Sequence, residues 1–526
     1  ARTVTLQAAV KDQKPMRKLL SIAAATLCAS ALAGASAHAE VQVNSLFSDN
    51  AVLQQGVRMP VWGTAANGEE VTVTIAGQIA RTTARDGKWT AWLRPLKAGG
   101  PHTMKVQGPN TIEIRNILVG EVWVCSGQSN MHWTLANSTG GPEAIAASAD
   151  PHLRLYSVPR QATPEPIPDA NSSWQIAGPD TTSEFSAVGY FFGRDLRKAL
   201  KVPVGLINTS LGATPAEAWT KRAALARIPQ LKYLVDDYER MLRDYAKAIA
   251  VYDRQMAEYQ PKAETARAEG KRPPAAPRKP VDPARSQRSP GGLYNAMIAP
   301  LIPYPIKGAI WYQGEANAPR AREYRTLFPA MIRNWRTDWR LGDFPFLFVQ
   351  LAPFAGRSRP DGDTWPELRE AQLLTAKNTR KTAMVVITDY GDAADVHPKA
   401  KEPVGARLAL AARAVAYGQK TDYSGPVYED MKVRGKEIVL SFNGAAGGLV
   451  ARGGDLRGFQ IAGADRRFVN ARARIEGNTV VVSSPEAPAP VAVRYGWSDC
   501  PYLNLFDRAG LPASPFRTDD FPMVTK

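Results

Sequence analysis

Hydrophobic and polar positions change rhythm twice along the chain. Over residues 41–118 they alternate, as in Val71–Ile75 and Lys88–Leu93, and Gly, Asn and Asp clusters punctuate the runs. A period of two broken by turn residues predicts short, half-buried strands. The segment 40–118 therefore reads as a small β-sandwich, jelly-roll-like. From 119 to about 424 the rhythm shifts. Continuous apolar runs at Glu121–Cys125, Leu153–Val158, Val202–Ile207, Ile306–Tyr312, Phe344–Leu351 and Ala383–Thr388 alternate with helix-spaced segments at 187–200, 322–338, 366–377 and 399–417. Strands apolar on both sides need cover on both sides, which predicts an α/β domain with a parallel sheet between two helical layers. Inside it, 228–268 has helical spacing and 269–290 is rich in Pro, Arg, Lys and Ser. Residues 228–290 are thus expected as a helical insertion with a loose polar return, on the surface and mobile in its outer part. From 425 to 526 the chain returns to β, with alternation at Glu437–Phe442 and Thr479–Ser483 and a strand-like run at Val491–Tyr495. That end forms either its own module or part of the N-terminal sandwich.

The N-terminus changes the picture. Met16-Arg17-Lys18 is a basic start, Leu19–Leu32 is apolar and Ala-rich, and Ala37-His38-Ala39 is an A-x-A cleavage pattern. This is the layout of a secretory signal, and its apolar run is too short to span a bilayer. Residues 1–39 are set aside as leader, and the remainder is expected to be periplasmic or secreted, without membrane insertion. The 526 residues suggest about three domains. Formal charge is +17, of which residues 1–39 supply +4, leaving +13. Much of that excess lies in Arg254–Arg288. The stretch lacks interleaved aromatics and any nucleic-acid motif, so it reads as a solvated basic surface rather than a nucleic-acid site. Outside the leader only Cys125 and Cys500 remain, too few for a disulfide framework; Cys125 reads as a buried thiol, with a bridge to Cys500 the alternative. No C-x-x-C or His cluster suggests a metal.

Sites in parallel α/β sheets form beyond the carboxyl ends of the strands. After Glu121–Cys125 comes Ser126-Gly127-Gln128-Ser129-Asn130-Met131. A serine at a strand-to-helix turn exposes its hydroxyl and sets its own N–H at a helix N-terminus. After Val202–Ile207 comes Gly212, whose N–H can approach a substrate closely. After Ile306–Tyr312 come Gln313 and Asn317, which offer amide donors. After Ala383–Thr388 come Asp389–Asp395 and His397. Of the histidines outside the leader, His102, His132, His152 and His397, only His397 follows a strand's carboxyl end. Ser129 is thus the candidate nucleophile and His397 the candidate base. The alternative roles, a helix cap for Ser129 and a surface role for His397, do not account for four strand ends delivering complementary groups to one rim. Trp133, Trp219 and Trp311 are aromatics near the site, with core packing the better reading for Trp311.

These residues resemble a family. The GQSNM around Ser129, WYQGEAN at 311–317, DVHP at 395–398, the opening Phe47–Gln54, Tyr294–Ile298 and Phe344-Pro345-Phe346 are similar to the sialate O-acetylesterase-like carbohydrate esterases of the SGNH superfamily. The likeness runs through nearly the whole chain after the leader. It implies a flavodoxin-like sheet, hydrolysis of acetyl esters and no cofactor. Its members act on acetylated sialic acids or on acetylated plant polysaccharides. Two departures from the superfamily pattern stand out. The position three before the histidine is Ala394, so Asp395 is the candidate acid, with Asp392 or a backbone carbonyl as alternatives. The Gly-x-Asn-Asp block is replaced by Gln313-Gly314-Glu315-Ala316-Asn317. The oxyanion is then expected on the N–H groups of Ser129 and Gly212 and on Gln313 or Asn317. Gln128, Trp133, Trp219 and Glu315 are the candidate substrate contacts. The expected reaction is removal of O-acetyl groups from a glycan through an acetyl-enzyme, with xyloglucan, xylan, pectin and sialate esters all open and plant cell-wall glycans favoured. The competing readings are a non-catalytic glycan-binding protein and a lipase or thioesterase, for which no long apolar lid is evident.

Overall fold

The computed structural model describes residues 40–356, 364–445 and 447–525. The leader expected over 1–39 lies outside them.

The centre is a parallel sheet. Its spatial order is Trp174–Ala177, Asp150–Ser157, Val204–Ser210, Thr111–Gly127, Gly308–Tyr312, Phe346–Val349 and Thr382–Val385. Six strands run parallel, and Trp174–Ala177 joins the edge antiparallel. Numbered by sequence, the parallel strands stand in the order 2-3-1-4-5-6. The layering is that of a flavodoxin-like sheet; the order departs from 2-1-3-4-5 in that the third strand lies between the second and the first. Strand period two sorts the side chains. Ala309, Trp311, Phe346 and Phe348 point into one apolar cluster with the helix Ala321–Trp339. Ile310, Tyr312, Leu347 and Val349 point into another, with Ala187–Leu200 and Glu402–Val415. Every residue of Val204–Ser210 and Gly308–Tyr312 is buried, which is why these strands read as unbroken apolar runs. Ser186 caps the helix Ala187–Leu200 by accepting the Gly189 N–H at 3.0 Å.

Thr111–Gly127 is one strand of 17 residues. Its first part pairs antiparallel with Gly99–Gln107, and its last part pairs in the parallel sheet. Position 118/119 thus falls within a continuous strand, and the N-terminal β residues Val41, Val71, Trp89 and Met104 share the first apolar cluster. The C-terminal strands instead close over a cluster of their own, which includes Ile438, Leu440, Ile461, Val480 and Val493. Within the insertion 228–290, Lys232–Ala268 forms a helix of 37 residues that buries Val235, Tyr238 and Ala263. Cys125 and Cys500 are free thiols. No helix among the described residues is long and apolar enough to cross a membrane.

Candidate active site

The first parallel strand ends on a glycine at φ +139°. A Cβ on Gly127 would lie 2.2 Å from the Tyr312 carbonyl oxygen, so glycine alone permits this exit. The Gln128 N–H then donates to that same carbonyl at 3.0 Å. The chain delivers Ser129, half-buried, into one helical turn, Ser129–His132. So short a helix carries little macrodipole; what it offers is local N–H groups.

His397 approaches from the sheet edge, on the loop that follows Thr382–Val385. Two anchors hold that loop. Asp389 takes both ends of the Arg407 guanidinium at 2.7 and 2.6 Å. Asp392 Oδ1 accepts the N–H groups of Ala394 and Asp395 at 2.9 and 3.2 Å. His397 Nε2 stands 2.8 Å from Ser129 Oγ. Its Nδ1 lies 3.3 Å from Asp395 Oδ1, which also accepts the His397 backbone N–H at 2.9 Å. Of the two candidate acids, Asp395 lies beside the ring, whereas Asp392 shapes the loop. Trp133 stacks on the imidazole, with centroids 5.3 Å apart and planes 22° off parallel.

Behind the serine lies a buried polar network. Asn130 Nδ2 donates to Glu315 Oε1 at 2.6 Å and to the Val396 carbonyl at 3.0 Å. Lys401 Nζ donates to Asn130 Oδ1 at 2.5 Å and lies over the rings of Trp133 and Tyr312. Burial pulls the Lys401 pKa down to about 7, opposed by the Glu315 and Asp395 carboxylates. Burial likewise raises the Glu315 pKa, against the Asn130 hydrogen bond and the Lys401 and His397 charges. Lys401 carried no signal in the sequence; it is one lysine among several after His397. Asn130 lies inside the serine motif, but its residue type alone does not announce this network.

A Cβ on Gly212 would lie 3.4 Å from Ser129 Cβ, so the two residues abut. Among the described residues neither the Ser129 N–H nor the Gly212 N–H donates to a protein acceptor. The turn continues through Ala213 at φ +57°. Its carbonyls are held from the end of the insertion: Gln287 donates to Gly212 O at 3.3 Å, and Arg288 to Ala213 O at 2.7 Å. Sequence reasoning missed both tethers, because that segment reads only as polar.

Several expected roles do not fit these positions. Gln313 Nε2 spends its donors on the Thr214 carbonyl at 3.2 Å and Asn317 Oδ1 at 2.6 Å. Asn317 is fully buried and donates to Glu217 at 3.0 Å. Both amides brace the loops around the site and are not placed as oxyanion donors. Trp219 is 0% exposed, donates to Thr214 and packs edge-on against Trp311, so it is core and not a sugar platform. Gln128 and Glu315 are also buried. Gln128 Oε1 accepts from the Ala316 N–H at 3.3 Å, so these two order the loops rather than face a substrate. Trp133 does border the Ser129–His397 pair. Among the described residues no group of three or more His, Cys, Asp or Glu side chains could hold a metal ion. A hydroxyl against an imidazole nitrogen, with uncommitted N–H groups beside it, is the arrangement nucleophilic acyl transfer requires.

Residues 286–414 match the family model of the carbohydrate esterase, sialic acid-specific acetylesterase domain. The chain is similar to the sialate O-acetylesterase of Rattus norvegicus, 31% identical over 422 residues that span 72% of this chain and 74% of that protein. It is 30% identical to the sialate O-acetylesterase of Homo sapiens, over 72% of each chain. The crystal structure of a carbohydrate acetylesterase from Xanthomonas citri superposes with a TM-score of 0.78 at 39% identity, covering 92% of this chain and all of that one.

Proposed function

This chain belongs to the sialate O-acetylesterase family of carbohydrate esterases and is a carboxylic ester hydrolase, and from that premise we propose that it removes O-acetyl groups from a glycan by a serine mechanism. The observation that carries the reading is the 2.8 Å approach of His397 Nε2 to Ser129 Oγ, with Asp395 on the other ring nitrogen. Ser129 Oγ attacks the acetyl carbonyl carbon while His397 takes its proton. Asp395 holds the ring in the tautomer that leaves Nε2 free to accept. The oxyanion rests on the Ser129 and Gly212 N–H groups, each worth about 10²–10³ in rate. As the intermediate collapses, His397 returns the proton to the departing sugar oxygen. Water, deprotonated by His397, then attacks the acetyl carbon, and His397 passes that proton to the departing Ser129 Oγ as acetate leaves. Acetylated plant cell-wall polysaccharide, such as xyloglucan, is the favoured substrate class and acetylated sialic acid the second. The basic-apolar-small layout of residues 16–39 supports action in the periplasm or outside the cell.

Acetate release from acetylated xyloglucan, xylan and sialic acid by wild type and Ser129→Ala tests the proposal. Release that drops about 10⁴-fold or more in a folded variant is expected. A variant as active as wild type would remove Ser129 from the mechanism.

A further inference from the structure

The C-terminal strands Phe459–Gly463, Phe468–Asn470 and Pro490–Tyr495 pair antiparallel, and their register sets Gln460 opposite both Asn470 and Arg494. Cross-strand partners share a face, so two amide side chains stand together. The chain then leaves the sheet through Trp497 and Ser498 and reaches Cys500 and Tyr502. Between strands and turn lies a cleft of about 320 Å³, lined by Gln460, Asn470, Trp497, Ser498, Cys500 and Tyr502. That volume is at the lower end of small-molecule sites, about 300–1,000 Å³.

The lining has the chemistry of a sugar site. Tyr502 is 73% exposed, with the Arg457 guanidinium 5.1 Å from its ring centroid. Trp497 is braced by Arg494 and Arg517 at 5.1 and 5.4 Å, and both guanidiniums are fixed by Asp519. The amides of Gln460 and Asn470, the Ser498 hydroxyl and the Trp497 indole N–H have no hydrogen-bond partner among the described residues. Aromatic faces take the C–H side of a pyranose, and free amides and a hydroxyl take its O–H groups.

The turn that lines the cleft is also tied, through residues 354 and 355, to the loop that carries His397. Asp499, inside the same turn, accepts the Phe354 N–H on its carbonyl at 3.2 Å and the Trp365 N–H on Oδ1 at 2.9 Å. Next to Phe354, the Ala355 N–H donates to the Ala393 carbonyl at 3.0 Å. Ala393 belongs to the histidine loop.

We propose that this cleft is a second glycan-binding site, which holds a neutral pyranose residue of a polysaccharide whose acetylated unit lies at Ser129. The inference rests on the esterase reading for its substrate and deepens it: the natural substrate is a chain rather than a single sugar.

The test separates binding from chemistry. Titration calorimetry with unacetylated xyloglucan heptasaccharide and with xylohexaose is run on wild type, Trp497→Ala, Tyr502→Ala and Asn470→Ala. Tyr502 and Asn470 are exposed, so their variants keep the test open if Trp497→Ala fails to fold. Wild type is expected to bind one of the two sugars, and each folded variant to bind it about tenfold more weakly. On acetylated xyloglucan or xylan, KM should rise by about the same factor while kcat moves less than about twofold. No binding by wild type, or binding equal in wild type and all folded variants, overturns the site. The titration needs no ester, so it decides the site even if wild type releases no acetate and the esterase reading fails.

Discussion

At the scale of the residue, two aspartates compete for one histidine, and their surroundings divide the work. Asp392 spends its carboxylate on two backbone N–H groups of its own loop, while Asp395 lies beside His397 Nδ1. Asp395→Asn should therefore cut kcat by about 10²–10⁴-fold with the fold intact. Asp392→Asn should act through loop order and cost less than about tenfold. Initial rates on a soluble acetyl ester decide between them, and the reverse ranking would reassign the acid. Lys401 gives a pH signature. Its folded pKa of about 7 lies below that of an unfolded lysine, about 10.4. Between those values the unfolded chain holds a proton that the native chain has released, so this group makes stability rise with pH across that window. Lys401→Met should abolish the rise: the gap between wild-type and variant melting temperatures grows in favour of wild type from about pH 7 to about pH 9. A pH-independent gap would place Lys401 in contact with solvent. Ser129, His397 and Asp395, which the sequence sets after strand ends, come together in the structure. The sequence left Lys401 and Arg288 unseen, since only the folded loops show what they touch. It also over-assigned Gln313, Asn317 and Trp219, because residue type tells what a group can donate and not whether its donors are already spent.

At the scale of the element, periodicity located the helices 187–200 and 322–338 to within one residue of Ala187–Leu200 and Ala321–Trp339. Continuous apolar runs located the parallel strands for the same reason: both faces are buried. The edge strand Trp174–Ala177 leaves no signal in the sequence, because burial at its two ends alone gives no period to read. Nor was it visible that Thr111–Gly127 would serve two sheets, since alternation passes into an apolar run without a break in the strand. The element that matters most to the chemistry is the exit from that strand. Gly127→Ala adds a Cβ at 2.2 Å from a carbonyl oxygen, on a backbone at φ +139°. It is expected to cost about 2–4 kcal/mol in unfolding free energy and to displace Ser129. Denaturant midpoints and kcat measured on the same preparation check both effects. A variant with wild-type stability would show that the turn relaxes freely.

At the scale of the whole molecule, the C-terminal β region is more than an appendage. Arg369 is fully buried and joins it to the parallel sheet: its guanidinium donates to the carbonyls of Leu351 and Ala352 on one side and of Ser498 and Asp499 on the other, at 2.8–3.1 Å. Arg369→Leu would strand several buried carbonyls, at a cost of about 3–5 kcal/mol. It should split the calorimetric transition into two, with the C-terminal part melting first. A single transition at the wild-type temperature would show that the C-terminal cluster is coupled to the clusters of the parallel sheet elsewhere. The central claim of the proposed mechanism is an acetyl group carried by Ser129. The most direct test is rapid quenching of the enzyme during turnover of an acetylated substrate, followed by peptide mass spectrometry. The peptide that contains Ser129 is expected to carry the mass of one acetyl group, lost on longer incubation and absent in Ser129→Ala. Turnover with no acetylated peptide at any quench time, or with the acetyl on another residue, would contradict it.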